Sequence, residues 1–299
     1  MSEPITSARV IGAHGRHYIV ELDSGELRRC YPKGKRNEAA VGDRVDVALD
    51  GETDGYLLAI HPRRNLLYRS DEWRTKQFAA NVDQLLIVVA VEPTFSDDLL
   101  GRALAGAWAA EVEPVIVLNK VDLKNGLEQA RERLLPYMAL GVPVIELQAK
   151  DVASLNHQLR PILANKTSLL LGQSAMGKST ILNALVPDAQ ALTQAHSVAL
   201  NAGKHTTTTT KLYHLPDQAG HIIDSPGVQA FGLAHLSPAE VEKGFPEFEQ
   251  HKAHCRFYNC SHQHEPGCGV LAALEQGLID AKRHQLYGRL LEEKASAKI

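Results

Sequence analysis

No apolar run in the 299 residues approaches the ~20 needed to cross a bilayer. Residues 1–10 also lack the basic-then-apolar layout of a secretory signal. The expectation is a cytoplasmic protein with no membrane partner. Cysteine is scarce: there are four, with Cys30 alone and Cys255, Cys260 and Cys268 close together. That spacing in a reducing compartment favours a metal over disulfides. Neither sign of charge dominates, since 32 Lys and Arg face 35 Asp and Glu. Bulk charge therefore cannot grip nucleic acid, and any RNA contact must use a local patch. Arg28, Arg29, Lys33, Lys35 and Arg36, with Arg63, Arg64 and Arg69 beyond them, form the candidate patch, and a merely solvated face is the competing reading. No segment repeats at solenoid periods.

What is present divides the chain into three. Short alternating segments at 8–11, 17–21, 26–30, 44–49 and 55–60 are separated by polar or glycine-bearing turns. They predict an N-terminal β-barrel of the OB type over residues 1–68, a fold that often binds single-stranded nucleic acid. From residue 84 the texture changes to continuous apolar strands at 84–91 and 114–118, then strands at 143–146, 167–171 and 221–224. Helical patterns at 97–111, 126–139, 154–163 and 178–185 alternate with them, which predicts a parallel α/β domain over residues 69–235. After residue 235 the strands stop, and His- and Cys-rich segments lead to a helical run at 271–293 in a small, mainly helical domain of residues 236–299.

Gly172, Gln173, Ser174, Ala175, Met176, Gly177, Lys178 and Ser179 fit GxxxxGK[ST] between an apolar strand and a helix, the setting a P-loop requires. Loop and helix N–H groups would face the phosphates, Lys178 would neutralise the β and γ charge, and the Ser179 hydroxyl would bind Mg²⁺. Asn119, Lys120, Val121 and Asp122 form NKxD at the carboxyl end of a strand, where open α/β sheets bind ligands. Asp122 can accept from guanine N1–H and the 2-amino group, whereas adenine offers no donor there. A buried Asp122 left unpaired by ATP would give discrimination of roughly 10⁴ or more, which disfavours an ATPase. Gln148, Ala149 and Lys150 follow the next strand as a further base-contacting loop. Asp224 and Gly227 frame DxxG, with Asp224 toward Mg²⁺ and the Gly227 N–H toward the γ-phosphate.

Between P-loop and DxxG lie Gly203, Lys204, His205 and threonines at 206–210, suited to a switch loop that runs on into a strand. NKxD precedes the P-loop here, whereas an ordinary GTPase places it last, so the order is circularly permuted. Val228 stands where many GTPases carry a water-orienting glutamine, which predicts slow hydrolysis in isolation. His205 is the candidate for orienting water once a partner orders the loop, and packing or binding RNA phosphate is the alternative. Cys255, Cys260, His262 and Cys268 offer three thiolates and an imidazole, a closed tetrahedral set for one structural Zn²⁺, with His251, His254 and His264 as rival ligands.

The permuted NKxD, the P-loop, GKHTTT, DSPG, the upstream barrel and the Cys-Cys-His-Cys cluster together resemble the RsgA (YjeQ) family of ribosome-associated GTPases over nearly the whole chain. The resemblance implies GTP hydrolysis to GDP stimulated by the small ribosomal subunit, in late maturation of that particle, by a monomer whose barrel and zinc domain contact ribosomal RNA. Carried over by position, guanine contacts fall on Asn119 to Asp122, phosphate contacts on Gly172 to Thr180, and zinc on Cys255, Cys260, His262 and Cys268. The P-loop departs from the family where glycine is typical at Ala175 and valine at Met176. If that backbone has φ > 0, alanine there adds strain of order 1 kcal/mol. The competing class is an RNA-binding module that uses GTP as a conformational ligand without turnover.

Overall fold

The computed structural model describes residues 5–15, 17–33, 38–70, 75–187, 189, 210–216, 220–225 and 233–296. Five strands open the chain: β1 (Ile5–Ala13), β2 (Tyr18–Leu22), β3 (Leu27–Pro32), β4 (Arg44–Asp50) and β5 (Asp54–Ile60). They pair in the order β1-β2-β3-β5-β4, and β4 returns to β1 to close a barrel. Alternate residues point inward, so Val10, Val20, Cys30, Val45, Val47 and Leu57 are fully buried. Burial raises the Cys30 thiol to about 12, which keeps it protonated and inert.

A hairpin absent from the sequence-based expectation follows, β6 (Leu66–Ser70) with β7 (Thr75–Ala80). Residue 68, the expected domain boundary, therefore falls inside β6. The hairpin is fastened to the barrel's 38–43 segment, with the Ala80 N–H donating to Val41 O at 2.8 Å. At this seam Asp43 is fully buried, and Arg63 holds it with two hydrogen bonds of 2.8 and 2.7 Å.

The α/β part contains β8 (Gln84–Ala90), α1 (Asp97–Ala109), β9 (Glu113–Asn119), α2 (Leu127–Ala139), β10 (Val144–Leu147), α3 (Val152–Leu163), β11 (Lys166–Leu171), α4 (Lys178–Leu185), β12 (Lys211–His214) and β13 (Gly220–Asp224). Its strands lie in the order β10-β9-β8-β11-β13-β12, parallel except for β12. Every residue of β8 is buried, as expected for a central parallel strand covered by helices on both faces. At the β12 edge the barrel takes over, because Gly12 of β1 pairs with Lys211 and makes one continuous 11-stranded sheet.

The C-terminal part is helical: α5 (Pro238–Lys243), a 3₁₀ turn (Pro246–Phe248), α6 (Glu249–Lys252), α7 (Gly269–Glu275) and α8 (Ala281–Ser296). The single helix expected at 271–293 is thus two. Gly277 takes φ +72° while the Leu278 N–H bonds back to Ala273 O, closing α7. Asp280 then accepts from the Arg283 N–H at 3.0 Å and starts α8. Phe245, Phe248 and Tyr287 form its buried aromatic core, and no helix among the described residues is long and apolar enough to cross a membrane.

Replacing Arg63 by Ala leaves the Asp43 carboxylate buried without its counter-charge, so the variant is expected to lose about 3 kcal/mol of stability. Urea denaturation followed by circular dichroism measures this loss. A change below about 0.5 kcal/mol, the range of an ordinary surface substitution, would show that the pair does not hold the seam.

Candidate functional site

Three loops converge at the carboxyl ends of β9, β10 and β11. Asn119 ends β9, 2% exposed, and its carboxamide joins all three. Its Nδ2 donates to Met176 O of the 172–179 loop at 2.8 Å, while its Oδ1 accepts from the N–H groups of Lys120 at 2.8 Å and Ala149 at 2.9 Å. One amide N–H is left for anything else. Gly177 must be glycine, because a Cβ there would come within 2.2 Å of the Asn119 Nδ2 and its φ is +101°.

The pocket between these loops is lined by Asn119, Lys120, Asp122, Gln148, Lys150 and Thr180, among others. Asp122 is exposed on its wall rather than buried, so it becomes desolvated only when something flat and polar covers it. Lys120 reaches away, donating to Glu92 O at 2.7 Å, and Val121 packs against the core. Ser174, Ala175, Ser179 and Thr180 face solvent, and Met176 is buried beneath the loop. Gln173 accepts from the Ser96 N–H at 2.7 Å and so ties the loop to the start of α1.

Lys178 folds over the loop, with Nζ donating to Gly172 O at 2.6 Å and Gln173 O at 2.7 Å. Burial pushes its pKa down, opposed by Asp224. Asp224 ends β13, and burial pushes its carboxyl up against the pull of Lys178, the Ser225 N–H and Lys211. The α4 helix begins at Gly177 without a side-chain cap, so its first N–H groups are open to an anion. Ala175 has φ +64°, the left-handed conformation in which alanine is strained. His205, the threonines at 206–209, Gly227 and Val228 lie outside the described residues, whereas Thr210 is buried with its hydroxyl 2.9 Å from that of Ser225.

The second site is the cysteine cluster. The ligand atoms of Cys255, Cys260, His262 and Cys268 lie within 4.8 Å of one another. Cys255 Sγ is 3.8 Å from Cys268 Sγ, and the His262 Nδ1 is 3.6 and 3.5 Å from these two sulfurs. Metal–sulfur bonds of about 2.3 Å and metal–nitrogen bonds of about 2.0 Å at tetrahedral angles give edges of this length. The His262 Nε2 faces Glu242 Oε2 at 3.5 Å, the outer carboxylate that orients a ligating imidazole. His251, His254 and His264 are not in the cluster.

Part of the expected basic patch is ion-paired, and the side chain of Arg69 lies outside the described residues. Arg28 pairs with Glu26, Arg29 with Asp54, Arg63 with Asp43 and Arg64 with Asp83, while Lys33 is exposed and Lys35 and Arg36 lie outside the described residues. Asn119 as a three-way tie was missed, because Ala149 and Met176 are distant from it in sequence.

Comparison with known proteins agrees with this geometry. Residues 60–234 match the model of the RsgA GTPase family. The chain is 64% identical over 298 residues to the small ribosomal subunit biogenesis GTPase RsgA of Bordetella pertussis, covering 100% of this chain and 99% of that one. It is similar in structure to YjeQ from Thermotoga maritima, with a TM-score of 0.73 and 30% identity over 98% of this chain and 99% of that one. It is also similar to YloQ, a circularly permuted GTPase, with a TM-score of 0.71 and 26% identity over 100% of this chain and 98% of that one.

Replacing Ala175 by Gly relieves the left-handed strain and is expected to stabilise the protein by about 1 kcal/mol. Thermal unfolding reads this as a rise in Tm, and an unchanged or lower Tm would show that the loop carries no such strain.

Proposed function

The chain belongs to the RsgA GTPase family, and from that membership we propose that it is the GTPase of small ribosomal subunit biogenesis in its own cell, hydrolysing GTP to GDP and phosphate. The observation that carries the reading is the meeting of residues 119–122, 148–150 and 172–180 around one pocket. Guanine sits against Asp122, whose carboxylate accepts from N1–H and the 2-amino group, and Asn119 holds the base and phosphate loops in register. The phosphates lie over the N–H groups of 172–180, with Lys178 leaving the loop carbonyls to meet them. Ser179 and Asp224 hold Mg²⁺, which supplies charge neutralisation on the phosphates when bound. Gly227 senses the γ-phosphate.

Turnover requires a positioned water, and Val228 has no group to hold one. His205 takes that role on the particle, so hydrolysis is slow alone and fast on the small subunit. Zinc bound by Cys255, Cys260, His262 and Cys268 holds the C-terminal part in shape, and the barrel of residues 1–68 and the 236–299 part face ribosomal RNA on either side of the 69–235 GTPase unit. The protein works as a monomer in the cytoplasm during late maturation of the particle, and loss of the γ-phosphate contacts on hydrolysis releases it.

Phosphate release from GTP is the test, with the protein alone, with small subunits and with large subunits. Small subunits alone are expected to stimulate it strongly, and Lys178→Ala is expected to lower the stimulated rate by about 100-fold or more. A flat response with GTP still bound would favour a binding module without turnover. Chelating the metal, or Cys260→Ser, is expected to release about one zinc per chain and to lower Tm. Metal analysis finding no zinc in the purified protein would remove that assignment.

A further inference from the structure

Lys211 is a cation that neither the motifs nor the reading above employs. It opens β12 directly after the 201–210 segment and stands opposite Asp224 in the antiparallel β12–β13 ladder. Directly opposed residues project their side chains from the same face, so its ammonium belongs to the face that carries Asp224. On its other side it pairs with Gly12 of the barrel, which has no side chain to cover it. Lys211 is half-buried, and no hydrogen bond or ion pair of its side chain is found among the described residues.

The charges at this end of the sheet do not balance. Among the described residues, Asp224 is the one carboxylate whose field acts on both Lys178 and Lys211. Two partly desolvated ammonium groups therefore share a single negative charge, beside the uncapped start of α4. Two such cations favour an anion placed between them. Lys178 approaches from the P-loop side, and Lys211 from the side of β12 and the segment before it. Resting on the GTPase reading above, we propose that Lys211 binds the γ-phosphate of GTP and so makes the site prefer GTP over GDP.

Equilibrium binding of GDP and of a non-hydrolysable GTP analogue to the full chain, with Mg²⁺, tests this in the wild type, Lys211→Met and Lys211→Arg. Lys211→Met is expected to weaken the analogue by at least about tenfold, the worth of one charge-assisted contact, with GDP affinity within about twofold of the wild type. Lys211→Arg is expected to retain the preference. Equal weakening of both nucleotides, or no change in either, would overturn the proposal. GDP affinity and Tm report on folding in the same samples, and should Lys211→Met fail to fold, Lys211→Gln carries the same comparison. A wild type that binds neither nucleotide would instead overturn the GTPase reading itself.

Discussion

The carboxamide of Asn119 is bonded at once to the loop after β9, the loop after β10 and the loop before α4. In a sheet ordered β10-β9-β8-β11-β13-β12 these loops come from segments far apart in the chain. Parallel strands bring their ends to one edge but do not fix the loops against each other. A buried amide with both acceptor sites and one donor used does so, since an unmade bond there costs about 1–3 kcal/mol. Gly177 is the counterpart of this arrangement, leaving the space that the Asn119 amide fills.

The same sheet explains how a permuted chain remains complete. The chain enters the α/β unit at its centre, through β8, fills one side with β9 and β10, then crosses to β11, goes out to β12 at the edge and returns to β13 between them. An exposed edge strand presents unpaired N–H and C=O groups, which natural proteins cover. Here β1 of the barrel covers it through the Gly12–Lys211 pairing, with the Ala13 N–H donating to Thr210 O at 3.4 Å. The barrel is therefore part of what terminates the nucleotide-binding sheet.

Much of this was legible because the signals are local. The 172–179 loop, NKxD and the cysteine cluster are each continuous in sequence, the longest running only from Cys255 to Cys268, and strand periodicity located the barrel strands to within a few residues. Long-range features were not legible. The β6–β7 hairpin is joined by residues 71–74, Asp-Glu-Trp-Arg, with no glycine or asparagine to mark a turn. The division of 271–293 was written in Gly277 and Asp280, but apolar spacing running through both masked it. The ion pairs within the basic patch were hidden for a different reason: clustering in sequence reveals cations, while the carboxylate partners of Arg29, Arg63 and Arg64, namely Asp54, Asp43 and Asp83, come from other strands and turns.

The two flanking parts meet the site by unlike contacts. The C-terminal α8 docks on α1 through Arg289–Asp98, Lys282–Asp97 and Arg102–Glu293, and Leu286 packs so closely on Gly101 that a Cβ there would lie 2.7 Å from it. Partly exposed ion pairs of this kind are worth less than about 1 kcal/mol each, so the apolar contact holds the helix and the charges set its register. From α1 the path to the phosphate loop is one hydrogen bond, Ser96 N–H to Gln173. The barrel's path is shorter, because a single strand, β12, separates it from Asp224. It also runs along the backbone, where a shift of β12 moves Thr210, Lys211 and their partners Ser225 and Asp224 together. Of the two parts, the barrel is thus the one whose position is mechanically tied to the phosphate end of the site, while the C-terminal part is tied to the frame that supports it.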